Sequence, residues 1–125
     1  MKVVHTNQAP EAIGPYSQAI IFQGLVFTSG QIAINPATGK VEEASIEGQT
    51  EQVMKNLDAI LQEAGSSLEK VLKTTCFLRN MEDFSAFNQI YAKYFASHKP
   101  ARSCVAVREL PKGVLVEVEA VAVVP

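Results

Sequence analysis

The stretch "GVLVEVEAVAVV", Gly113 to Val124, constrains the fold more than any other part of the 125-residue chain. Side chains along a β-strand alternate between two faces. Valine or leucine stands at both parities here, so both faces of this strand need apolar cover. Glu117 and Glu119 share one parity and interrupt that face. A carboxylate among apolar neighbours is costly unless it is paired. A second strand-like run, "PARSCVAV" from Pro100 to Val107, poses the same question with the opposite charge. There Arg102 stands two places before Cys104 and ahead of Val105, Ala106 and Val107. An Arg–carboxylate pair between the two runs is permitted; the sequence leaves open whether the strands are neighbours and in what register.

Other elements follow from period and punctuation. "KVVHT" reads as a short strand, and "SQAIIF" and "LVFTSG" flank Gln23-Gly24 as a hairpin. "INPATGK" reads as a surface loop. From Ile46, the residues Val53, Met54, Leu57, Ile60, Leu61 and Ala64 recur at helical spacing, and Gly65 is the expected stop. Ser66 and Glu69 stand at capping-box spacing for one short turn. "VLKTTCFL" is a further strand. Asp83 is the expected cap of a second helix running to about Ala96, with Phe84, Phe87, Tyr91, Tyr94 and Phe95 on its apolar face. Two strands close the chain, at about 102 to 109 and 114 to 124, separated by the turn signal "LPKG". The order β, β, β, α, β, α, β, β in one domain, residues 1–125, predicts an α+β two-layer sandwich with the helices on one sheet face. The other face then needs another cover, and a second copy of the chain is the simplest. A homo-oligomer is expected.

Composition narrows the class. With 47% hydrophobic and 19% charged residues, the chain reads as a soluble globular protein. The net charge of −2, with lysine and arginine scattered, argues against nucleic acid as a partner. No run is long enough to span a membrane, and the start lacks a targeting pattern, so a cytoplasmic location is expected. Cys76 and Cys104 fit free thiols of a reducing compartment. His5 and His98 lack metal-ligand spacing, so no metal site is expected.

Several residues admit both a structural and a chemical role. Arg102 either snorkels to water from a strand start or clamps a carboxylate with its planar fork. Glu117 is either a structural partner or a base that takes a proton from water. Cys104 is more often a small buried hydrophobe than a nucleophile, and no histidine stands ready to activate it. Tyr16, after Pro15, is either core or a cleft hydroxyl. Ser29-Gly30 ends a strand; Gly30 is either a turn glycine or a place where bare backbone approaches a ligand. Asn88, mid-helix, is either exposed or a ligand donor.

Taken together, "GPYSQA", "SGQI", "FNQIYAKYF" and "PARSCVAVRELPKGVLVEVEAVA" resemble the RidA (YjgF) family of reactive intermediate deaminases, from about residue 5 to the end. The resemblance implies a chorismate-mutase-like α+β fold with ferredoxin-like βαβ elements, assembled as a homotrimer with sites between subunits. It implies hydrolysis of enamine and imine carboxylates such as 2-aminoacrylate to a 2-keto acid and ammonia, without cofactor or metal. Position by position, it makes Arg102 the carboxylate-binding arginine and Glu117 the residue that orients or activates water. Tyr16, Ser29, Gly30, Asn88 and Cys104 become substrate-contacting residues, Cys104 mainly through backbone and shape. Alternatives are a module that binds 2-keto acids or amino acids without turnover, a chaperone-like role, and a ribonuclease-type translation inhibitor.

Overall fold

A computed structural model describes residues 1–125. Its elements are β1 (Lys2–Val4), β2 (Ala19–Phe22), β3 (Leu25–Thr28), β4 (Ile34–Asn35), β5 (Lys40–Val41), helix α1 (Ile46–Glu63), β6 (Val71–Leu78), helix α2 (Phe84–Tyr94), β7 (Ala101–Ala106) and β8 (Val116–Val123). The C-terminal run is β8, and it lies inside a six-stranded sheet of order β1-β2-β3-β8-β6-β7. Neighbours are antiparallel except β6 and β7, which are parallel and joined through α2. Both helices pack on one face of this mixed sheet, the α+β sandwich expected.

The two parities of β8 have separate fates. Val116, Val118, Ala120 and Ala122 are buried beneath the helices. Glu117, Glu119, Val121 and Val123 point to the other face, which no element of the chain covers. Neighbouring strands add Phe22, Phe27 and Val105 to that face, at 50%, 45% and 47% exposure. That face is therefore apolar and open to solvent in the single chain.

α1 forms because its apolar residues repeat on one stripe: Val53, Met54, Leu57, Ile60 and Leu61 have no exposed surface. The Ser45 hydroxyl accepts the Gly48 N–H at 3.0 Å and starts the helix. Gly65, at φ +82°, ends it, with the Ser66 N–H donating to the Leu61 carbonyl. The β2–β3 turn places Gln23 and Gly24 at positive φ, as a tight hairpin of this hand requires.

Three local expectations are corrected. "INPATGK" is not bare loop: Ile34–Asn35 and Lys40–Val41 pair as a small separate hairpin. Ser66 does not build a capping box with Glu69; its hydroxyl donates to the Val123 carbonyl at 2.6 Å and ties the end of α1 to β8. Asp83 makes no side-chain cap for α2; a 3-10 turn at Met81–Asp83 precedes the helix, and Asn80 accepts the Glu82 N–H there. Only for Ser66 did a distant partner win over a sequence-local one; the other two corrections are local pairings that the residue pattern did not single out.

Candidate functional site

Arg102 and Glu117 do not meet within one chain. In register, Arg102 stands beside Thr74, which faces Ala120; Glu117 faces Phe77, which stands beside Val105. Thr74 and Ala120 belong to the helix-covered parity, and Phe77 to the open one. The two charged side chains therefore leave the sheet on opposite faces, and the pairing the sequence permitted is absent. Each charge opens onto its own cleft.

The first cleft, about 390 Å³, is lined by Tyr16, Ser29, Gly30, Gln31, Pro111 and Glu117 among others. A backbone irregularity builds it. Phe27 is opposite Val121 while Gln31 is opposite Val118, so four steps along one segment match three along β8. The extra residue makes a bulge, which re-aims side chains at a sheet margin. The Thr28 hydroxyl takes the Ala120 N–H at 3.0 Å inside it. Gly30 lies against Glu117: a β-carbon there would land on the Glu117 carboxylate. This close approach, and not a turn conformation, is what favours glycine here, since any side chain would push the Glu117 carboxylate aside.

Tyr16 is 52% exposed and flanks the cleft, so it is not core. The Ser29 hydroxyl donates to the Ser17 carbonyl at 2.5 Å; its proton is committed to the wall, leaving its lone pairs for any ligand. Glu117 is half-buried and titrates above its ordinary 4.5, first because burial disfavours the charge, then because Glu119 adds a like charge.

The second cleft, about 660 Å³, lies between α2 and β7 and is lined by Asn88, Tyr91, Phe95, Lys99 and Arg102 among others. Arg102 Nη1 donates to Asn88 Oδ1 at 2.6 Å. Its guanidinium carbon sits 4.8 Å from the Tyr91 ring centre and 5.4 Å from that of Phe84. No carboxylate of the chain lies within salt-bridge distance of it. Asn88 is thus neither idle nor free: it holds the arginine.

Cys104 shares the Arg102 face of β7 but lines neither cleft, standing directly beside Cys76. Both thiols are free. Burial raises both, Cys76 to about 12, while Arg102 pulls Cys104 part of the way back. Neither is a ready thiolate nucleophile at neutral pH.

Buried amides that the sequence reading missed hold the first cleft's walls. Gln18 accepts the Thr6 N–H at 2.7 Å and donates to the Pro10 carbonyl at 2.8 Å, fixing the N-terminal segment. Asn56, with no exposed surface, donates from mid-α1 to the Ile32 and Ile34 carbonyls at 3.1 and 2.9 Å. Its signal was available: an asparagine on the apolar stripe of a helix must find partners.

A family model described as Endoribonuclease L-PSP matches residues 6–124. A RutC family protein of Synechocystis sp. is 54% identical over 127 residues, covering 100% of this chain and 98% of that protein. Reactive Intermediate Deaminase A, chloroplastic, of Arabidopsis thaliana is 48% identical over 121 residues, covering 97% of this chain and 65% of that protein. Among solved structures, E. coli TdcF with bound serine superposes at TM-score 0.94 with 41% identity, covering 98% of each chain. The chain belongs to the RidA family, that of the Endoribonuclease L-PSP model.

Proposed function

We propose that this chain hydrolyses reactive enamine and imine carboxylates, such as 2-aminoacrylate, to 2-keto acids and ammonia, as a cytoplasmic homotrimer with its sites between subunits. The observation that carries the reading is the division of the site into two open halves. Arg102 and Glu117 occupy opposite sheet faces, and β7, which bears the arginine, is an edge strand. The uncovered apolar face on the Glu117 side supplies an assembly surface. A second copy that lays its Glu117 cleft against the Arg102 edge of the first completes one site. The relatives support the chemistry in kind: one is named a reactive intermediate deaminase, and another holds serine, a small amino-acid carboxylate.

The reaction needs little machinery. Arg102 takes the substrate carboxylate in its fork, helped by backbone at Gly30. The enamine, as its imine tautomer, presents an electrophilic C2. A water oxygen bonds to C2 while Glu117 takes the water proton, and the C=N electron pair moves to nitrogen. Glu117 returns that proton to nitrogen, giving the carbinolamine; Glu117 then takes the hydroxyl proton and passes it to the amino group, the C–N bond breaks, and ammonia leaves as the C2 carbonyl forms. Orientation supplies most of the gain, as for any reaction that already proceeds in water. Tyr16 walls the cleft against bulk water, and Asn88 holds the arginine.

The test is pyruvate release from 2-aminoacrylate generated in place by a serine dehydratase-type enzyme. Wild type should accelerate release. Arg102→Ala should lose on the order of 2–5 kcal/mol of transition-state binding, roughly thirtyfold to several thousandfold in rate. Acceleration unchanged in Arg102→Ala would overturn the assignment. RNA incubated with the same nuclease-free preparation should stay intact.

A further inference from the structure

Arg102 does not enter its cleft as a free arm. Phe84, Asn88 and Tyr91 stand four and three residues apart and so share one face of α2. All three meet the guanidinium: two through rings, at 5.4 and 4.8 Å, and one through an amide oxygen at 2.6 Å. Cations over aromatic faces are held electrostatically, most firmly where water is excluded.

The Tyr91 ring is itself pinned. Phe87 and Phe95 pack against it, with ring centres 5.4 and 4.7 Å away. Its hydroxyl shares a 2.7 Å hydrogen bond with the Thr74 hydroxyl, and both residues are buried. Thr74 is the register neighbour of Arg102 on β6. The contacts therefore close a loop: Arg102 backbone to Thr74 backbone, Thr74 hydroxyl to Tyr91 hydroxyl, Tyr91 ring to Arg102 guanidinium. Phenylalanine and valine would fill the same apolar space without burying two hydroxyls. What the hydroxyl pair adds is a fixed height and tilt for the ring.

We propose that Tyr91, held by Thr74, is with Phe84 a positioning residue for Arg102. The two rings fix the plane of the guanidinium. Asn88 occupies Nη1, so Nη2 and Nε are the edge presented to a carboxylate. The inference rests on the reading of Arg102 as the carboxylate-binding residue; the ring cradle itself is tested independently of any ligand.

The first measurement is rotation about the Arg102 Nε–Cζ bond by nitrogen-15 NMR of the full-length protein. Wild type should show hindered rotation with separate Nη signals, and Tyr91→Leu clearly faster exchange between them, since Asn88 and Phe84 then restrain the group without the Tyr91 ring. Averaged signals in wild type, or no change in Tyr91→Leu, would overturn the cradle. The second is binding of pyruvate and of its uncharged methyl ester to wild type, Tyr91→Phe, Thr74→Val and Tyr91→Leu. Tyr91→Leu should weaken pyruvate about tenfold, the scale of a desolvated cation–π contact, and leave the ester nearly unchanged. Tyr91→Phe and Thr74→Val, which keep the ring but release it, should fall between and differ little from each other. Equal loss for pyruvate and ester would mean general loosening and overturn the positioning role. If Arg102→Ala binds pyruvate like wild type, the carboxylate reading fails instead, whatever the NMR shows.

Discussion

The two halves of the site are built by opposite means. The Arg102 half rests on regular structure: a parallel strand pair sets the arginine's register, and one face of α2 supplies its three contacts. The Glu117 half rests on irregular backbone: a bulge at Ser29-Gly30, a loop hung from Asn56 and an N-terminal segment hung from Gln18. The first half has its charge already engaged. The second keeps a carboxylate at a raised pKa against bare backbone. The difference suits the tasks. Binding an anion needs a stiff cation, and moving a proton needs a base near its working pH.

The sharpest way to break this comparison is to put the halves on different chains. Arg102→Ala and Glu117→Gln should each be nearly inactive alone. Unfolded, mixed and refolded together, they should recover a substantial part of wild-type turnover, because some interfaces unite an intact Arg102 with an intact Glu117. Recovery is read as pyruvate release against each variant refolded alone. None at all, with mixed oligomers present by native mass spectrometry, would place both residues of a working site in one chain.

Gly30→Ala tests the second half alone. The new methyl would fall on the Glu117 carboxylate, which must swing away. Turnover should drop on the order of a hundredfold, the loss expected when a catalytic group is misplaced by about 1 Å. Pyruvate binding through Arg102 should weaken far less. Equal loss of both would show that the halves are not separable.

Asn56→Ala reaches the same cleft from behind. It removes the side-chain donor from the part-buried Ile32 and Ile34 carbonyls, the first of which keeps the Ile34 N–H, at about 1 kcal/mol of stability by denaturant unfolding. Turnover should fall with it, as the loop that carries the cleft wall loosens, while the Arg102 NMR signals stay as in wild type. A stable variant of full activity would remove Asn56 from the site's support.

What the sequence made legible follows the same division. Period and punctuation were enough for the β2–β3 hairpin, α1 with its Gly65 stop, and β6, since each is decided by neighbours a few residues away. The two-sided apolar pattern of β8 correctly marked a strand covered on one face by helices. The same pattern could not say which face Glu117 takes relative to Arg102. That depends on β6 lying between β7 and β8, and on pairing between residues more than a dozen positions apart. Alternation within β7 correctly set Arg102 with Cys104, yet Cys104 lines neither cleft and packs against the core beside Cys76. The bulge left no periodic trace at all; only its glycine hinted at it.

The smallest effect concerns Glu119, which the two-faced pattern put beside Glu117 and the structure leaves exposed. Its charge is the second cause, after burial, of the raised Glu117 pKa. As a base Glu117 must be ionised, so activity should be lost as pH falls through its folded pKa, above the ordinary 4.5. Glu119→Gln removes the like charge and should move that acid limb to lower pH, leaving the plateau rate unchanged. The same shift has a stability signature of definite sign. Between the ordinary and the raised pKa, the folded chain binds more protons than the unfolded one, so Glu117 makes the fold less stable as pH rises through that window. Glu119→Gln should shrink this loss, and denaturant midpoints across the window should read it. Because burial is the larger cause, part of the shift must survive the substitution. An acid limb that does not move would mean Glu117 feels only its cleft; one that falls to the ordinary carboxylate range would mean the cleft is wetter than its half-buried geometry indicates.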